Sequence, residues 1–108
     1  MDSLYARTGF DISRTITRNY STSFFSAVNL LAKDIREAIF GIYGFVRLAD
    51  EIVDSFTDYD RQYLLNRFEQ DYAEAIQQGI STNPVINAFE LTVRKYRIDR
   101  HLIEAFLK

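Results

Sequence analysis

Apolar positions along the chain recur at spacings of three and four, without the strict alternation of a strand, and this pattern predicts an all-α protein. One proline and four glycines leave few interruptions. Asp11 to Tyr20 reads as a first short helix, and Ser21 to Leu31 as a turn or short helix opening on small hydroxyl residues, with a break near Ala32-Lys33. Asp34 followed three residues later by Glu37 has the form of a capping box, so the main helix is expected to start there and to run through Asp54. Along it Ile35, Ile39, Ile42, Val46, Ala49 and Val53 form one apolar stripe. Thr57 to Asp60 signals the next start, with a helix to about Gln78 that buries Tyr63, Leu64, Phe68, Tyr72 and Ile76 and ends at Gly79 as a left-handed cap. Asn83-Pro84 opens another helix, to about Tyr96, because proline suits the first helical turn. Asp99 caps a fifth, which reaches Lys108 in mid-pattern, as expected of an incomplete unit.

Composition adds that the chain is foldable and rich in rings. Of its 108 residues 47% are hydrophobic, and 7 Tyr and 9 Phe require a large core or a cavity to receive them. Thirteen basic against fifteen acidic residues, with no basic run, exclude a nucleic-acid partner. The lack of cysteine removes disulfides, thiolate metal sites and cysteine nucleophiles, and points to a reducing cytoplasm. Met1 to Arg7 has no basic region followed by an apolar stretch, so no secretion signal is read there. The richest apolar run, Ala38 to Val53, is broken by Arg47, Asp50 and Glu51, which leaves a soluble protein or one peripheral to the inner face of a membrane.

Candidate chemistry lies on the main helix. At 100° per residue Tyr43, Arg47, Asp50 and Asp54 fall within about 60° of arc, on one narrow face. Ile39, Ile42, Val46 and Val53 flank that face, and Phe40, Phe45, Leu48 and Ile52 continue round the far side, so the helix is expected to be buried nearly all round. Charges in such a setting must be paired, metal-bound or turned to a cavity. Two carboxylates one turn apart repel, and a divalent cation that bridges to a diphosphate converts the repulsion into binding. The spacing alone is a weak signal, because nine aspartates supply roughly one such pair by chance, and Asp54 with Asp58 makes a second. Arg47 could equally serve Asp50 as an i, i+3 structural ion pair.

A wider set of residues raises its specificity. Ser21-Thr22-Ser23-Phe24-Phe25, Leu30-Leu31, Arg36-Glu37-Ala38, Ile42-Tyr43-Gly44-Phe45-Val46-Arg47 and Ala49-Asp50-Glu51-Ile52-Val53-Asp54 occur in an order and spacing that closely resemble the N-terminal region of the squalene/phytoene synthase family. The resemblance covers most of residues 19–56. It implies a helical portion of the isoprenoid synthase fold. It also implies head-to-head condensation of two prenyl diphosphates, farnesyl or geranylgeranyl, to squalene, phytoene or a dehydro relative. Asp50 and Asp54 match the family's first aspartate-rich motif, which binds the substrate diphosphate through magnesium, with manganese as a substitute ion. Arg47 matches an arginine near that diphosphate, Ser21 and Ser23 the hydroxyl segment that closes over it, Phe24 an aromatic wall of the prenyl pocket, and Tyr43 an aromatic on the motif's own helix. NADPH is implied only where the product is squalene.

The chain departs from the family pattern in three places. Ala32-Lys33 stands where many members have proline after Leu-Leu, and Glu51 stands where a second aspartate is usual. The family's second aspartate-rich motif has no match downstream, Asp71 and Asp99 being isolated, so one half of a two-sided site is expected here, in a piece inactive alone and prone to self-association through its uncovered faces. The rival expectation is a non-catalytic helical protein that uses the same scaffold for binding or assembly. His101 reads as solvent-facing, Arg94-Lys95-Tyr96-Arg97 as cations suited to a helix C-terminus, and Gly41 and Gly44 as points of close helix packing.

Overall fold

The computed structural model describes residues 3–107, so Met1, Asp2 and Lys108, which figure in the reading of the chain's ends, lie outside it. Six helices follow one another, with no strand among the described residues: α1 (Leu4–Tyr20), α2 (Thr22–Val28), α3 (Lys33–Ser55), α4 (Arg61–Gln78), α5 (Pro84–Tyr96) and α6 (Arg100–Leu107). The all-α reading holds, with the hydroxyl segment forming a helix of its own. The first helix begins seven residues before Asp11, because the Ser3 side chain accepts a hydrogen bond from the Ala6 amide and supplies a start signal upstream of the apolar pattern.

The capping box does not form. Ala32 is the N-cap of α3, without a side-chain cap bond, and Asp34 lies inside the first turn, where its charge still suits the helix dipole. Four other boundaries follow from local chemistry as expected. Asp60 caps α4 by accepting from the Tyr63 amide, and Gly79 ends it at φ 77, a conformation that costs glycine nothing. Asn83 accepts from the Val85 and Ile86 amides ahead of Pro84, and Asp99 accepts from the His101 amide at the start of α6. Arg97 caps α5 in the left-handed region (φ 53), a place where no glycine marked the turn.

Helices α1, α3 and α5 pack on one another, α4 closes against α3 and α5, and α2 leans on α1. The centre is aromatic. Phe45 is 1% exposed and stacks on Phe89 with ring centroids 3.8 Å apart, while Phe68 and Tyr72 of α4 tilt against it at 4.9 and 5.3 Å. Tyr63, expected inside, is exposed, since the face of α4 that meets the core is set by Phe68, Tyr72 and Ala75. Close approach of α1 to α3 requires Gly44: a Cβ there would sit 2.7 Å from the Ser13 Cβ and Oγ. Gly41 is held in the same way, since its Cβ would meet Thr92 Oγ1 at 2.8 Å.

These contacts choose which side of α3 is buried. Phe40, Gly41, Gly44, Phe45, Ala49 and Ile52 face the core, whereas Ile35 and Val53, the two ends of the expected stripe, are 49% and 46% exposed. The expectation of a helix buried nearly all round is therefore corrected. Helix–helix approach needs small residues at the contact, and the glycines lie on the other side from Ile35 and Ile39.

Candidate active site

The core-facing residues of α3 lie opposite Tyr43, Arg47, Asp50 and Asp54 on the helical wheel, which leaves that narrow face directed away from the packed interior. Tyr43, Arg47 and Asp50 are half-buried and Asp54 is exposed. Arg47 does not pair with Asp50. Its guanidinium reaches Glu51 at 3.5 Å, the long limit of a hydrogen bond, and lies over the Tyr20 ring at 4.6 Å. Among the described residues neither Asp50 nor Asp54 makes an ion pair, so both carboxylates keep their acceptors.

Local sequence explains how the hydroxyl segment arrives there. Ser21 sits at the junction of α1 and α2 in a non-helical conformation (φ −153, ψ 87), which turns the chain so that α2 lies back over α3. Two ring contacts fasten it: Phe24 stacks on Tyr43 at 5.3 Å and Phe25 on Phe40 at 5.7 Å. Ser21 is half-buried and makes no side-chain cap bond to α2, and Ser23 is exposed. Phe24 and Tyr43 are thus brought together, and the Ser21–Ser23 segment is anchored beside the α3 face between Tyr20 and Phe24.

Two members of the cluster escaped the sequence reading. Tyr20 and Glu51 complete a Tyr20–Arg47–Glu51 group that spans α1 and α3. The Ser55 hydroxyl first, then the Tyr20 hydroxyl and Arg47, hold the Glu51 carboxyl below the usual carboxylate range; Glu51 in turn pushes the Tyr20 phenol up. The i, i+4 spacing of Arg47 and Glu51 was legible as an ion pair. Tyr20 was not, because its contact depends on how α1 crosses α3. Glu51, a departure from the usual second aspartate, is the residue that holds Arg47 on this face.

The donor set suits a hard cation shared with a phosphate. Magnesium is commonly held by one or two carboxylates, with waters and phosphate oxygens filling the rest of its shell. Asp50 and Asp54, one turn apart and without basic partners, offer that pair. No cluster of three or more metal-ligating side chains occurs among the described residues, so the set is two-carboxylate and open.

The chain is 30% identical over 88 residues to a presqualene diphosphate synthase of Rhodopseudomonas palustris, a match covering 80% of this chain and 30% of that protein. Its fold superposes on the crystal structure of squalene synthase HpnC from Alicyclobacillus acidocaldarius with a TM-score of 0.79 at 26% identity, over 98% of this chain and 38% of the other. The chain therefore spans about a third of the length of these relatives. Residues 17–108 match the squalene/phytoene synthase family as a whole, a span that takes in α2 to α6 and every residue of the face just described, and the chain belongs to that family.

Proposed function

We propose that these helices carry the first diphosphate-binding half of an enzyme that condenses two prenyl diphosphates, farnesyl or geranylgeranyl, head to head. The observation that supports it most is the division of α3 into a packed face and an opposite face bearing Asp50 and Asp54 without basic partners. In a protein of the squalene/phytoene synthase family such a face is suited to receive a metal-bridged diphosphate.

Asp50 and Asp54 would hold magnesium, which when bound supplies the positive charge that offsets the diphosphate as it leaves. Arg47 binds the same diphosphate, a planar guanidinium being suited to two phosphate oxygens at once, and Tyr20 with Glu51 keeps it oriented. The allylic C–O bond breaks with its electron pair going to diphosphate, and the carbon chain is left as an allylic cation. The double bond of the second prenyl chain then attacks that carbon, and the positive charge it takes on is discharged by loss of a proton, for which the released diphosphate is an acceptor. The stacked pair Phe24–Tyr43 offers ring faces to the cation, and Ile39, Ile42 and Val46, half-buried beside the acidic face, form an apolar wall that excludes water. Ser21 and Ser23 close over the diphosphate from α2. The acceptors that complete the metal site come from the partner half of the enclosing fold.

The test is the full-length protein carrying both Asp50→Ala and Asp54→Ala, assayed for release of diphosphate from farnesyl and geranylgeranyl diphosphate in magnesium. A loss of at least about 100-fold in kcat is expected, with stability changed by no more than about 0.5 kcal/mol. Normal turnover in that variant would remove the site assignment and favour a binding role for the scaffold.

A further inference from the structure

The opposite end of α3 carries a different surface. A cleft of about 390 Å³ lies between α1 and the start of α3, and its walls include Arg7, Arg14, Lys33 and Arg36 against two carboxylates, Asp11 and Glu37, with the exposed Asp34 beside them in the first turn of α3. None of the four cations forms an ion pair among the described residues. Arg14 is instead spread over the Phe25 ring at 5.0 Å. This concentration of positive charge runs against the balance of the chain, whose net charge is −2. The first turn of α3, which has no side-chain cap, adds unsatisfied amide donors at the same place.

Exposed leucines border the cations. Leu30, 87% exposed, and Leu31, 43% exposed, occupy the α2–α3 turn between the cleft residues Asn29 and Lys33, and Leu4, 72% exposed, lines the cleft itself. A binding site for a small water-soluble anion would gain nothing from protruding leucines. Cations and leucines at one end match a lipid surface, in which phosphate headgroups lie above hydrocarbon. No described helix is long and apolar enough to cross a membrane, so the contact is shallow.

We propose that this end of the molecule, α1 with the α2–α3 turn and the first turn of α3, docks on an anionic phospholipid bilayer. Leu30 and Leu31 enter the headgroup boundary while Arg7, Lys33 and Arg36 bind lipid phosphates. Asp50 lies fourteen residues further along α3, so at the helical rise it is held roughly 20 Å from the docked end, and its carboxylate stays clear of the anionic surface.

The experiment is co-sedimentation of the full-length protein with vesicles of phosphatidylcholine alone and of phosphatidylcholine containing about one-third phosphatidylglycerol. Binding is expected only to the anionic vesicles and is expected to weaken as salt is added. The double variant Arg7→Gln, Lys33→Gln should partition about 25-fold more weakly, at about 5-fold per cation. The double variant Leu30→Ser, Leu31→Ser should lose about 10-fold. Both pairs are exposed, so helicity should be unchanged, and circular dichroism checks it. Equal binding to the two vesicles, or variants that bind like the parent, would overturn the proposal. So would protection of Leu30 and Leu31 from solvent labelling in the vesicle-free protein, which would mean that other parts of the chain cover them. Release from vesicles by inorganic phosphate, with the leucine variant binding fully, would replace the bilayer with a free phosphate ligand.

Discussion

The two long faces of α3 are made from the same stretch of chain and do opposite things. One carries Gly41, Gly44, Phe45 and Ile52 and is fitted so closely to α1 and α5 that a single added carbon at Gly44 meets Ser13 at 2.7 Å. The other carries Tyr43, Arg47, Asp50 and Asp54, touches the rest of the chain through rings, has one long ion pair within the helix itself, and leaves its two aspartates without a basic partner. A helix can be rigidly placed by one side and chemically available on the other, and the precision of the second depends on the tightness of the first. Sites built on helices gain this advantage over sites on loops.

Substitutions on the two faces should separate stability from chemistry. The largest effect on stability is expected from Phe45→Ala, which removes a ring stacked on Phe89 and tilted against Phe68 and Tyr72; unfolding of the full-length protein by urea should show a loss of about 3–5 kcal/mol. Gly44→Ala should cost about 1–3 kcal/mol by forcing α1 and α3 apart, and should reduce activity in proportion because α1 carries Tyr20. An unchanged melting temperature in that variant would break the link between the packed face and the site.

Arg47→Lys keeps the charge and discards the planar contact with Tyr20. About a 10-fold fall in kcat/KM for prenyl diphosphate is expected, with a stability change below about 1 kcal/mol. The smallest effect concerns Glu90, a buried carboxylate on α5 that is only 4% exposed and paired with Arg94 at 2.7 Å. Burial pushes its pKa above the ordinary carboxylate value more strongly than Arg94 pulls it back, and the same burial, with the Glu90 charge nearby, lifts the Tyr72 phenol to about 12. A carboxylate whose folded pKa is raised makes the folded state relatively more stable when protonated, and that advantage is lost as pH climbs through the folded value. Glu90→Gln should therefore raise the melting temperature slightly at neutral pH and leave it unaltered below the carboxylate range. A drop at neutral pH would show that the pair with Arg94 outweighs its burial.

Much of this was legible one residue at a time. Asp60, Gly79, Asn83-Pro84 and Asp99 mark ends of helices through bonds to amides two or three residues away, or through a backbone angle that glycine alone adopts without strain. The Asp34–Glu37 signal failed for an equally local reason, since the helix had already begun at Lys33 and the aspartate lay inside it. Ser3 was overlooked because the face of α1 that packs is made of Ala6, Gly9, Ser13 and Thr17, small residues that give no apolar stripe.

By itself the sequence determined the helical class, most helix ends, the angular clustering of Tyr43, Arg47, Asp50 and Asp54, and through the spacing of its motifs the family to which the chain belongs. Those are properties of short range or of order along the chain. Only the tertiary structure decided which side of α3 is buried, because isoleucines and glycines both read as inward-facing until α1 and α5 make their approach and only the glycines permit it. It also decided that the Tyr20 ring of α1 comes to lie against Arg47, and that four cations from α1 and α3 share one cleft. Contacts between residues far apart in the chain follow from how helices cross, and no spacing within a helix carries that information.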